Sequence, residues 1–388
     1  MDFTFSPEHT ALRRMIREVA ETEIAPVAAA LDREHRVPLE EMRLLGEIGL
    51  LGVCFPQEYG GMGAGEAGYC ILMEELGRIC TSTATNVGAH IGIGAMAIHL
   101  GGTDEQKRKY LTPLARGEKI AAFGLTEPNA GSDAAAIRTR AVREGDSWIL
   151  DGGKVFITNG GYADIITVMA VTDPTLGARG GITAFIVETD WEGFSVAREE
   201  DKMGIRGTST AELVFEELRV PHENVLGKVG EGFIVFMQSL DMGRLTLGAA
   251  CLGGAQAALE AAIHWAKTRK QFGLELAHKQ SVQWKIADMA TEVEALRSLV
   301  YRVAWLVDTG QSFAQLAAMC KMYGSEVASR AIDMAMQIHG GLGFTRDFAI
   351  ERAFRDARIS EIFEGTNEIQ RIVIASNIFR EHGVQIRP

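Results

Sequence analysis

The run IITVMAVTDPTLGARGGITAFIVET, residues 165–189, decides the fold. It holds two stretches rich in β-branched residues, IITVMAVT at 165–172 and ITAFIVET at 182–189, and Asp, Pro and Gly lie between them. β-Branched and aromatic residues favour strands, whereas segments rich in Gly and Pro favour turns. We therefore predict a β domain in the middle of this chain.

Further short β-rich runs surround this stretch between residues 121 and 220, namely WIL, KVFIT and ELVFEEL. Pairs such as Gly-Gly, Asp-Gly and Asn-Gly separate them, as tight turns require. No segment with helical periodicity intervenes. Strands spaced in this way indicate an antiparallel barrel or sandwich and not a parallel α/β sheet.

The segments on both sides of the β region have the 3–4 spacing of amphipathic helices. The first begins at SPEHTALRRMIREVAETEI, where Ser6 is the expected N-cap and Pro7 the first helical residue. After Gly230, periodic segments at 231–269, 281–308, 312–339 and 367–381 are predicted to form a helical bundle. The fold class is thus mainly α with a central β domain. The predicted domains are a helical domain (1–117), a β domain (118–229) and a helical bundle (230–388).

The composition of the chain excludes some classes of function but does not indicate a particular activity. The chain has 388 residues, 47% of them hydrophobic, and a net charge of −12, so a nucleic-acid-binding surface, which needs a basic face, is not expected. The five cysteines are scattered without C-x-x-C spacing, and the nine histidines show no metal-ligand spacing. We expect free thiols, no metal site and a cytoplasmic protein.

The ends and apolar runs of the chain suggest no targeting segment. The amino terminus begins directly with an amphipathic helix and lacks the apolar core of a signal peptide. The longest stretch of low charge, Leu245 to Leu259, is too short to span a bilayer. Membrane insertion is therefore not expected.

One glycine motif matches a dinucleotide-binding fingerprint by letter alone, Gly63-Ala64-Gly65-Glu66-Ala67-Gly68. A functional fingerprint follows a strand and is trailed by an acidic residue about twenty positions later. Turn-forming residues precede this one, and no Asp or Glu lies between 80 and 100. We interpret it as a loop between helices.

Two other segments are better candidates for binding an anionic ligand. FGLTEPNAGSD, residues 123–133, brings hydroxyls and unhindered backbone N–H groups into one short loop, which could bind a pyrophosphate or a flavin edge or could be a plain polar turn. QIHGGLGFTRD, residues 337–347, could be only a glycine C-cap. Three glycines in four positions, followed by arginines, favour close approach to an extended anion.

A third segment, EIFEGTNEIQ at 361–370, raises the question of where Glu364 points. Its three acidic residues could form a solvated helix end. Apolar residues precede Glu364, however, and Gly365 allows the backbone to turn sharply beside it. That pattern suits a carboxylate directed into an apolar cleft.

With these motifs in hand, the chain resembles the flavin-dependent acyl-CoA dehydrogenases. The similarity runs from about Ser6 to the end, in the family's helical, β, helical order. GLTEPNAGSD at 124–133 looks like one family signature, and Q-x-x-G-G-x-G-F-x-x-D at 337–347, continued by Arg352 and Asp356, looks like the second. The short-chain branch is the most similar. The resemblance implies the acyl-CoA dehydrogenase fold, with a middle antiparallel β-barrel and a C-terminal four-helix bundle.

The resemblance also implies roles for particular residues. Glu364 would be the base that removes the substrate α-proton. Arg269, Gln280 and the 337–341 segment would contact the adenine half of FAD across a subunit boundary, as in the family's arrangement. The implied FAD-binding residues are Phe123, Leu125, Thr126, Gly131, Ser132, Phe156, Ile157, Thr158, Arg269, Gln280, Gln337, Gly340, Gly341, Thr366, Asn367 and Glu368. The implied substrate-binding residues are Ser132, Asp241, Arg244 and Gly365.

The implied activity is the α,β-dehydrogenation of an acyl-CoA by FAD, in a homotetramer that passes electrons to an electron-transfer flavoprotein. The chain departs from the family at two positions, with Phe156 where Trp is usual and Phe363 where Tyr is usual. Two alternatives stay open: an oxidase or monooxygenase on the same fold, and a scaffold that binds acyl-CoA or flavin without turnover. Acyl chain length and metabolic pathway are left open, although Gly243 and the absence of Arg at 80–100 favour short or medium monocarboxylic groups.

Overall fold

The structure, a computed structural model, describes residues 4–386. The α-helices are α1 (Pro7–Val19), α2 (Ala28–Glu34), α3 (Leu39–Glu47), α4 (Gly65–Ile79), α5 (Thr81–Gly88), α6 (Met96–Gly101), α7 (Asp104–Gln106), α8 (Thr112–Ala115), α9 (Ala178–Gly181), α10 (Gly232–Thr268), α11 (Gln280–Asp308), α12 (Ala314–His339), α13 (Ala349–Ala357) and α14 (Asn367–Glu381). π-Helical turns at Ala20–Ile24, Ala89–Ala95 and Lys107–Leu111 continue α1, α5 and α7. The order helical, β, helical is confirmed.

The strands are β1 (Ala121–Gly124), β2 (Arg140–Glu144), β3 (Ser147–Thr158), β4 (Ile165–Val171), β5 (Ile182–Glu188), β6 (Phe194–Glu199), β7 (Thr210–Pro221), β8 (Val225–Leu226), β9 (Lys270–Gln271) and β10 (Leu274–Glu275). The first eight form one sheet with the order β6-β7-β3-β2-β4-β5-β8, and β1 pairs with β4. β9 and β10 form a separate hairpin. Residues 165–189 therefore supply two adjacent strands, as their composition predicts.

The main sheet is largely antiparallel. β4 and β5 pair from Ile165 opposite Glu188 to Val171 opposite Ile182, and every residue of β5 except Glu188 is buried. The sheet also contains parallel pairing, because β1 runs beside β4 and Arg140 pairs with Val171. β1 enters directly from the N-terminal helices, so its direction is set by that crossing and not by a hairpin.

The helix boundaries near the N-terminus follow the expected capping chemistry. The Ser6 side chain accepts a hydrogen bond from the backbone N–H of His9 at 3.1 Å, and Pro7 is the first residue of α1. The Gly63–Gly68 motif is not wholly a loop, because α4 begins at Gly65. Asp308 caps that start, accepting from the N–H groups of Glu66 at 2.6 Å and Ala67 at 3.1 Å.

Helix α10 lies at the centre of the C-terminal bundle and packs against α4, α11 and α12. Its small residues allow very close approach: a Cβ on Gly253 would be 2.0 Å from the Glu74 carbonyl oxygen, and one on Gly248 would be 2.9 Å from Cys320 Cβ. α10 is long and apolar enough to cross a membrane by length and composition alone, although the uncharged run within it, Leu245 to Leu259, is shorter. Because 61% of its apolar window is buried in the protein, packing explains that composition.

Candidate active site

A cavity of about 830 Å³ lies between the β domain and the C-terminal bundle. Its lining includes the loop after β1, the end of β3, one face of α10, and the turn before α14. Its size is typical of pockets for cofactors and small ligands. The predicted site residues that line it are Phe123, Leu125, Thr126, Gly131, Ser132, Phe156, Ile157, Thr158, Arg244, Glu364, Gly365 and Thr366.

The loop after β1 is held in place by a buried ion pair. The Glu127 carboxylate accepts hydrogen bonds from the backbone N–H groups of Arg138 at 2.6 Å and Thr139 at 3.0 Å, and from Lys154 Nζ on β3 at 2.6 Å. Burial lowers the pKa of Lys154 to about 8. Sequence reasoning missed this pair, since neither residue has an unusual neighbour in the sequence.

Three hydroxyls lining the cavity have unused hydrogen-bonding capacity. Among residues 4–386, the side chains of Thr126, Ser132 and Thr158 form no hydrogen bond. A hydroxyl can both donate and accept, as the mixed edge of a flavin ring requires. Gly131, between them, has no heavy atom within 4 Å of the position where a Cβ would lie. The donor set and the open space therefore fit FAD.

Phe156 presents an aromatic face at the mouth of the cavity. It is 62% exposed, although it lies within β3, and its φ of 59° is left-handed. β-Bulges interrupt the pairing of β3 with β7 between Lys154 and Ile157. An exposed aromatic residue with a strained backbone is more typical of a binding site than of a core.

Glu364 points its carboxylate inward at the cavity wall. Its φ is 52° and that of Gly365 is 83°, so two consecutive left-handed residues reverse the chain before α14. The Gln370 side chain fixes this turn, donating to the carbonyl oxygens of Glu364 at 3.2 Å and Gly365 at 2.9 Å. Within the described residues, the buried Oε2 atom of Glu364 has no hydrogen-bond partner. A free carboxylate oxygen is thus held beside the cavity.

The surroundings of Glu364 adjust its acidity in opposite directions. Burial raises the pKa of Glu364 to about 7, and the positive charges of Lys321 and Arg244 partly oppose this shift. Arg244 also donates from Nη1 to Asp241 Oδ1 at 2.5 Å. A carboxyl group that titrates near neutrality can accept a proton at physiological pH.

Other predicted site residues lie away from this cavity. Arg269, Gln280, Gln337, Gly340 and Gly341 do not line it. Gly340 and Gly341 have open space where a Cβ would lie. Trp265, one helical turn before Arg269 in the chain, stacks on His339, which precedes Gly340; their ring centroids are 5.1 Å apart. These roles remain predictions.

Two residues at the start of α14 differ in their exposure. The Asn367 side chain is buried, where its Oδ1 accepts from Lys321 Nζ at 2.8 Å and its Nδ2 donates to Ser325 Oγ at 2.9 Å. Glu368 is exposed. Sequence reasoning missed Lys321, and the only signal was a lysine inside an apolar helix face.

Together, the helical–β–helical fold and this cavity define a flavin-dependent oxidoreductase. Three family models match the chain: the acyl-CoA dehydrogenase N-terminal domain at residues 6–118, the middle domain at 122–218 and the C-terminal domain at 230–379. The chain belongs to the acyl-CoA dehydrogenase family.

Curated relatives match over nearly the whole chain. A short-chain specific acyl-CoA dehydrogenase from Clostridium acetobutylicum is 46% identical over 380 residues, which cover 98% of this chain and 100% of the relative. An acryloyl-CoA reductase (NADH) from Anaerotignum propionicum is 44% identical over 382 residues, covering 98% and 96%.

Solved structures agree with the fold. Butyryl-CoA dehydrogenase from Megasphaera elsdenii superposes with a TM-score of 0.96 at 41% identity, covering 98% of this chain and 100% of the other. A chain from a structure described as the electron transferring flavoprotein of Acidaminococcus fermentans gives 0.96 at 44% identity, with the same coverage. An acyl-CoA dehydrogenase complexed with FAD from Bacillus anthracis gives 0.92 at 37% identity, covering 98% and 68%. The predicted family, enzyme class and FAD cofactor are confirmed.

Proposed function

We propose that this protein oxidises the Cα–Cβ bond of a short-chain acyl-CoA to give the trans-2-enoyl-CoA, with Glu364 as the base. One observation carries the assignment: a buried carboxylate oxygen without a hydrogen-bond partner faces a cavity whose opposite wall fits a flavin. The pKa of about 7 supports it, because a base must be ionised at working pH and still hold the proton it accepts.

Two groups of Glu364, its carboxylate and its backbone N–H, have a task in this reaction. Glu364 Oε2 takes the α-proton. FAD, when bound, supplies the acceptor for the hydride that leaves the β-carbon. Among the described residues, the backbone N–H of Glu364 donates to no acceptor. It is therefore free to bind the thioester oxygen, where negative charge develops as the proton leaves.

The substrate is proposed to be a short monocarboxylic acyl-CoA. Ser132, Arg244 and Gly365 line the same cavity and Asp241 holds Arg244, so these four residues are suited to contact the thioester and its surroundings. Beyond Glu364 the wall is apolar, formed by Met73, Ala89, Ile93 and Leu247. No positively charged side chain of α5 lines it, so a second carboxylate would find no partner there.

Exposed aromatic residues support assembly of several copies. Phe272, at the tip of the β9–β10 hairpin, is 94% exposed, and Phe344, after the 337–341 glycines, is 84% exposed. Large exposed apolar side chains on one region are typical of subunit interfaces. We propose a homotetramer, a dimer of dimers, in which Arg269, Gln280, Gln337, Gly340 and Gly341 complete an FAD site with a second copy. Sedimentation equilibrium tests the stoichiometry.

The proposed electron acceptor is an electron-transfer flavoprotein, and the proposed location is the cytoplasm. The similarity to a chain in the electron transferring flavoprotein structure supports the partner. The exposed Phe156 supports it too, because electrons must leave close to the protein surface. Mixing the reduced enzyme with air tests whether oxygen is the electron acceptor. Slow reoxidation of the flavin by oxygen is expected, and fast reoxidation would indicate an oxidase.

A panel of acyl-CoAs tests the reaction itself. Butyryl-, octanoyl-, isovaleryl- and glutaryl-CoA are mixed anaerobically with the enzyme, and loss of flavin absorbance is followed. Fast bleaching by butyryl-CoA is expected. Bleaching by none of them would leave a binding scaffold as the function.

Similarity to the acryloyl-CoA reductase favours one second candidate, the reverse reaction. In that direction Glu364 donates the proton to the α-carbon. Measuring both directions with butyryl-CoA and crotonyl-CoA, at matched concentrations of an electron mediator, distinguishes the two by their ratio of rates.

A further inference from the structure

Lys321 is an unusual buried cation. It lies in the first third of α12 with a side chain that is 0% exposed, and its Nζ donates to Asn367 Oδ1 at 2.8 Å. Throughout residues 4–386 it forms no ion pair, so its hydrogen-bonding partner is a neutral amide. Burial of an unpaired ammonium disfavours folding, which makes a second role worth seeking.

Glu364 is the matching anion: its side chain is half-buried and its Oε2 atom is fully buried. Its Oε2 has no donor, and only Gly365 and Thr366 separate it from Asn367 in the chain. The two charges thus lie at opposite ends of one four-residue segment, Glu364–Asn367. Burial shifts both groups toward their neutral forms: it raises the pKa of Glu364 to about 7 and lowers the pKa of Lys321 to about 8. Each charge partly opposes the shift of the other, because Lys321 favours the ionised form of Glu364 and Glu364 favours the ionised form of Lys321.

Other charged or titratable groups around Glu364 are less able to supply this charge. The Arg244 guanidinium is bonded to Asp241, which balances it. Glu361 is bonded to Ser329 and Arg358. Burial raises the pKa of Cys251 to about 12 and raises the pKa of Tyr69 well above its ordinary value, so both groups are neutral at working pH. Lys321 is the cation near Glu364 whose charge nothing else in this group offsets.

We propose that Lys321 is a positioning residue for the reaction: it is the buried counter-charge of Glu364 and, through Asn367, the anchor of the segment that carries the base. This rests on the proposed role of Glu364. The ammonium favours the ionised carboxylate before proton abstraction. After abstraction it favours release of the proton, which restores the base for the next turnover.

Lys321→Met tests the charge, because methionine matches the lysine side chain up to Cε and removes the ammonium. Flavin bleaching by butyryl-CoA is followed anaerobically from pH 6 to 9. Loss of the positive charge should raise the midpoint of the acid limb by roughly one pH unit. The rate should therefore fall about tenfold at pH 6 and change little at pH 9.

Ser325→Ala is the matched control. It removes a hydrogen bond to the same Asn367 side chain without changing any charge. It should leave the midpoint where it is in the wild type, even if the rate falls at every pH. Lys321→Arg keeps the charge and should also keep the midpoint.

A second readout does not depend on turnover. Thermal midpoints of Lys321→Met, Glu364→Gln and the double variant are compared at about pH 7.5, between the pKa of Glu364 at about 7 and that of Lys321 at about 8. The two substitutions should be non-additive, because each alone leaves the other charge unopposed. Additive midpoints, or an unshifted acid limb in Lys321→Met, would overturn the proposal.

The outcomes also separate this proposal from the proposed function. A wild-type enzyme that no acyl-CoA bleaches refutes the function, whereas a bleached wild type with an unmoved Lys321→Met midpoint refutes only the role of Lys321. Lys321→Gln, which can still donate to Asn367, replaces the Met variant if that fails to fold. Lys321→Met and Lys321→Gln are each made in the wild type and in the Glu364→Gln background. If neither variant folds in either background, Lys321 is required for folding regardless of the charge at residue 364, and the proposal is wrong.

Discussion

The carboxylate of Glu364 lies against the bare α-carbon of Gly243 on α10. A Cβ on residue 243 would be 2.8 Å from Glu364 Oε2 and 3.0 Å from Ile93 Cγ2. The carboxylate of Glu364 thus occupies the space that a side chain at residue 243 would fill. Glycine is required there by the carboxylate and not by backbone conformation, since Gly243 lies within a regular helix.

Gly243→Ala should therefore reduce activity more than stability. The new methyl group displaces a flexible carboxylate and not the backbone, and a shift of about 1 Å in a reacting group can lower the rate roughly a hundredfold. We expect a fall of about tenfold to a hundredfold in the rate of flavin bleaching, with FAD content unchanged.

Gly254→Ala is the matched control on the same helix. Its nearest neighbour would be 3.9 Å from the new Cβ, so the methyl group fits. This variant should bleach at the wild-type rate, with equal or higher thermal stability because alanine favours helices. Equal rates for both alanine variants would show that Glu364 does not need the space at Gly243.

Glu364→Gln should abolish proton abstraction while preserving the site. The amide matches the carboxylate in size but cannot accept the α-proton, so bleaching should slow by about 10²–10⁴-fold or more. Absorbance of bound FAD and affinity for butyryl-CoA are the controls and should stay close to wild type. Wild-type bleaching would mean that the base lies elsewhere.

The rate of flavin reduction should depend on pH with a midpoint near 7. The base must be ionised, and burial raises the pKa of Glu364 to about 7, so the rate should fall about tenfold per pH unit below that value and level off above it. Stopped-flow measurement from pH 5.5 to 9 checks this. A flat profile would contradict a titrating base at this position.

The same group should affect stability with the opposite trend. The folded state holds the proton more tightly than the unfolded chain, so this contribution is present below the unfolded value of 4.5 and is lost as pH rises through about 7. Glu364→Gln should therefore gain in thermal midpoint relative to wild type between pH 5 and pH 8. An unchanged difference across that interval would contradict the raised pKa.

Much of the fold followed from sequence periodicity. The paired β-branched runs at 165–172 and 182–189 became β4 and β5, because alternation and turn residues act locally. The four helices predicted after Gly230 match α10, α11, α12 and α14 to within two residues at each end, whereas α13 was not predicted. The turn at Gly365 was also readable, as glycine favours positive φ.

What sequence could not provide is the identity of partners distant in the chain. Gly243 and Glu364 meet only because α10 packs beside the turn, and Lys321 reaches Asn367 across the bundle. The left-handed φ of Glu364 was not predicted. This conformation is stabilised by a hydrogen bond from the side chain of Gln370, six residues later, and the sequence does not show that contact. Composition shows that a buried charge needs a partner but not which residue supplies it.

Phe156→Trp should slow the reaction of the reduced enzyme with oxygen. The indole covers more area than the phenyl ring and adds an N–H donor, so it should restrict access of oxygen to the cavity. The backbone cost of positive φ is already present with Phe. Reduction by butyryl-CoA should be nearly unchanged. If neither half-reaction changes, Phe156 does not cover the cofactor.

Moving the base to α10 tests the geometry most severely. In the double variant Glu364→Gly with Gly243→Glu, the new carboxylate extends from a helix into the space that the old one leaves. Glycine also removes the cost of a left-handed residue at 364, about 1–2 kcal/mol. We expect bleaching at least about tenfold faster than in Glu364→Gly alone, as a general base contributes 10²-fold or more when well placed. A changed preference among the acyl-CoA panel should accompany it, because the carboxylate would approach the α-carbon from the α10 side.

Glu364→Gly with Gly254→Glu is the control, since residue 254 also lines the cavity but lies about three helical turns from residue 243. Equal rescue by both double variants would show that any carboxylate in the cavity suffices; rescue from residue 243 alone would mean that the position facing the α-carbon decides which residue serves as the base.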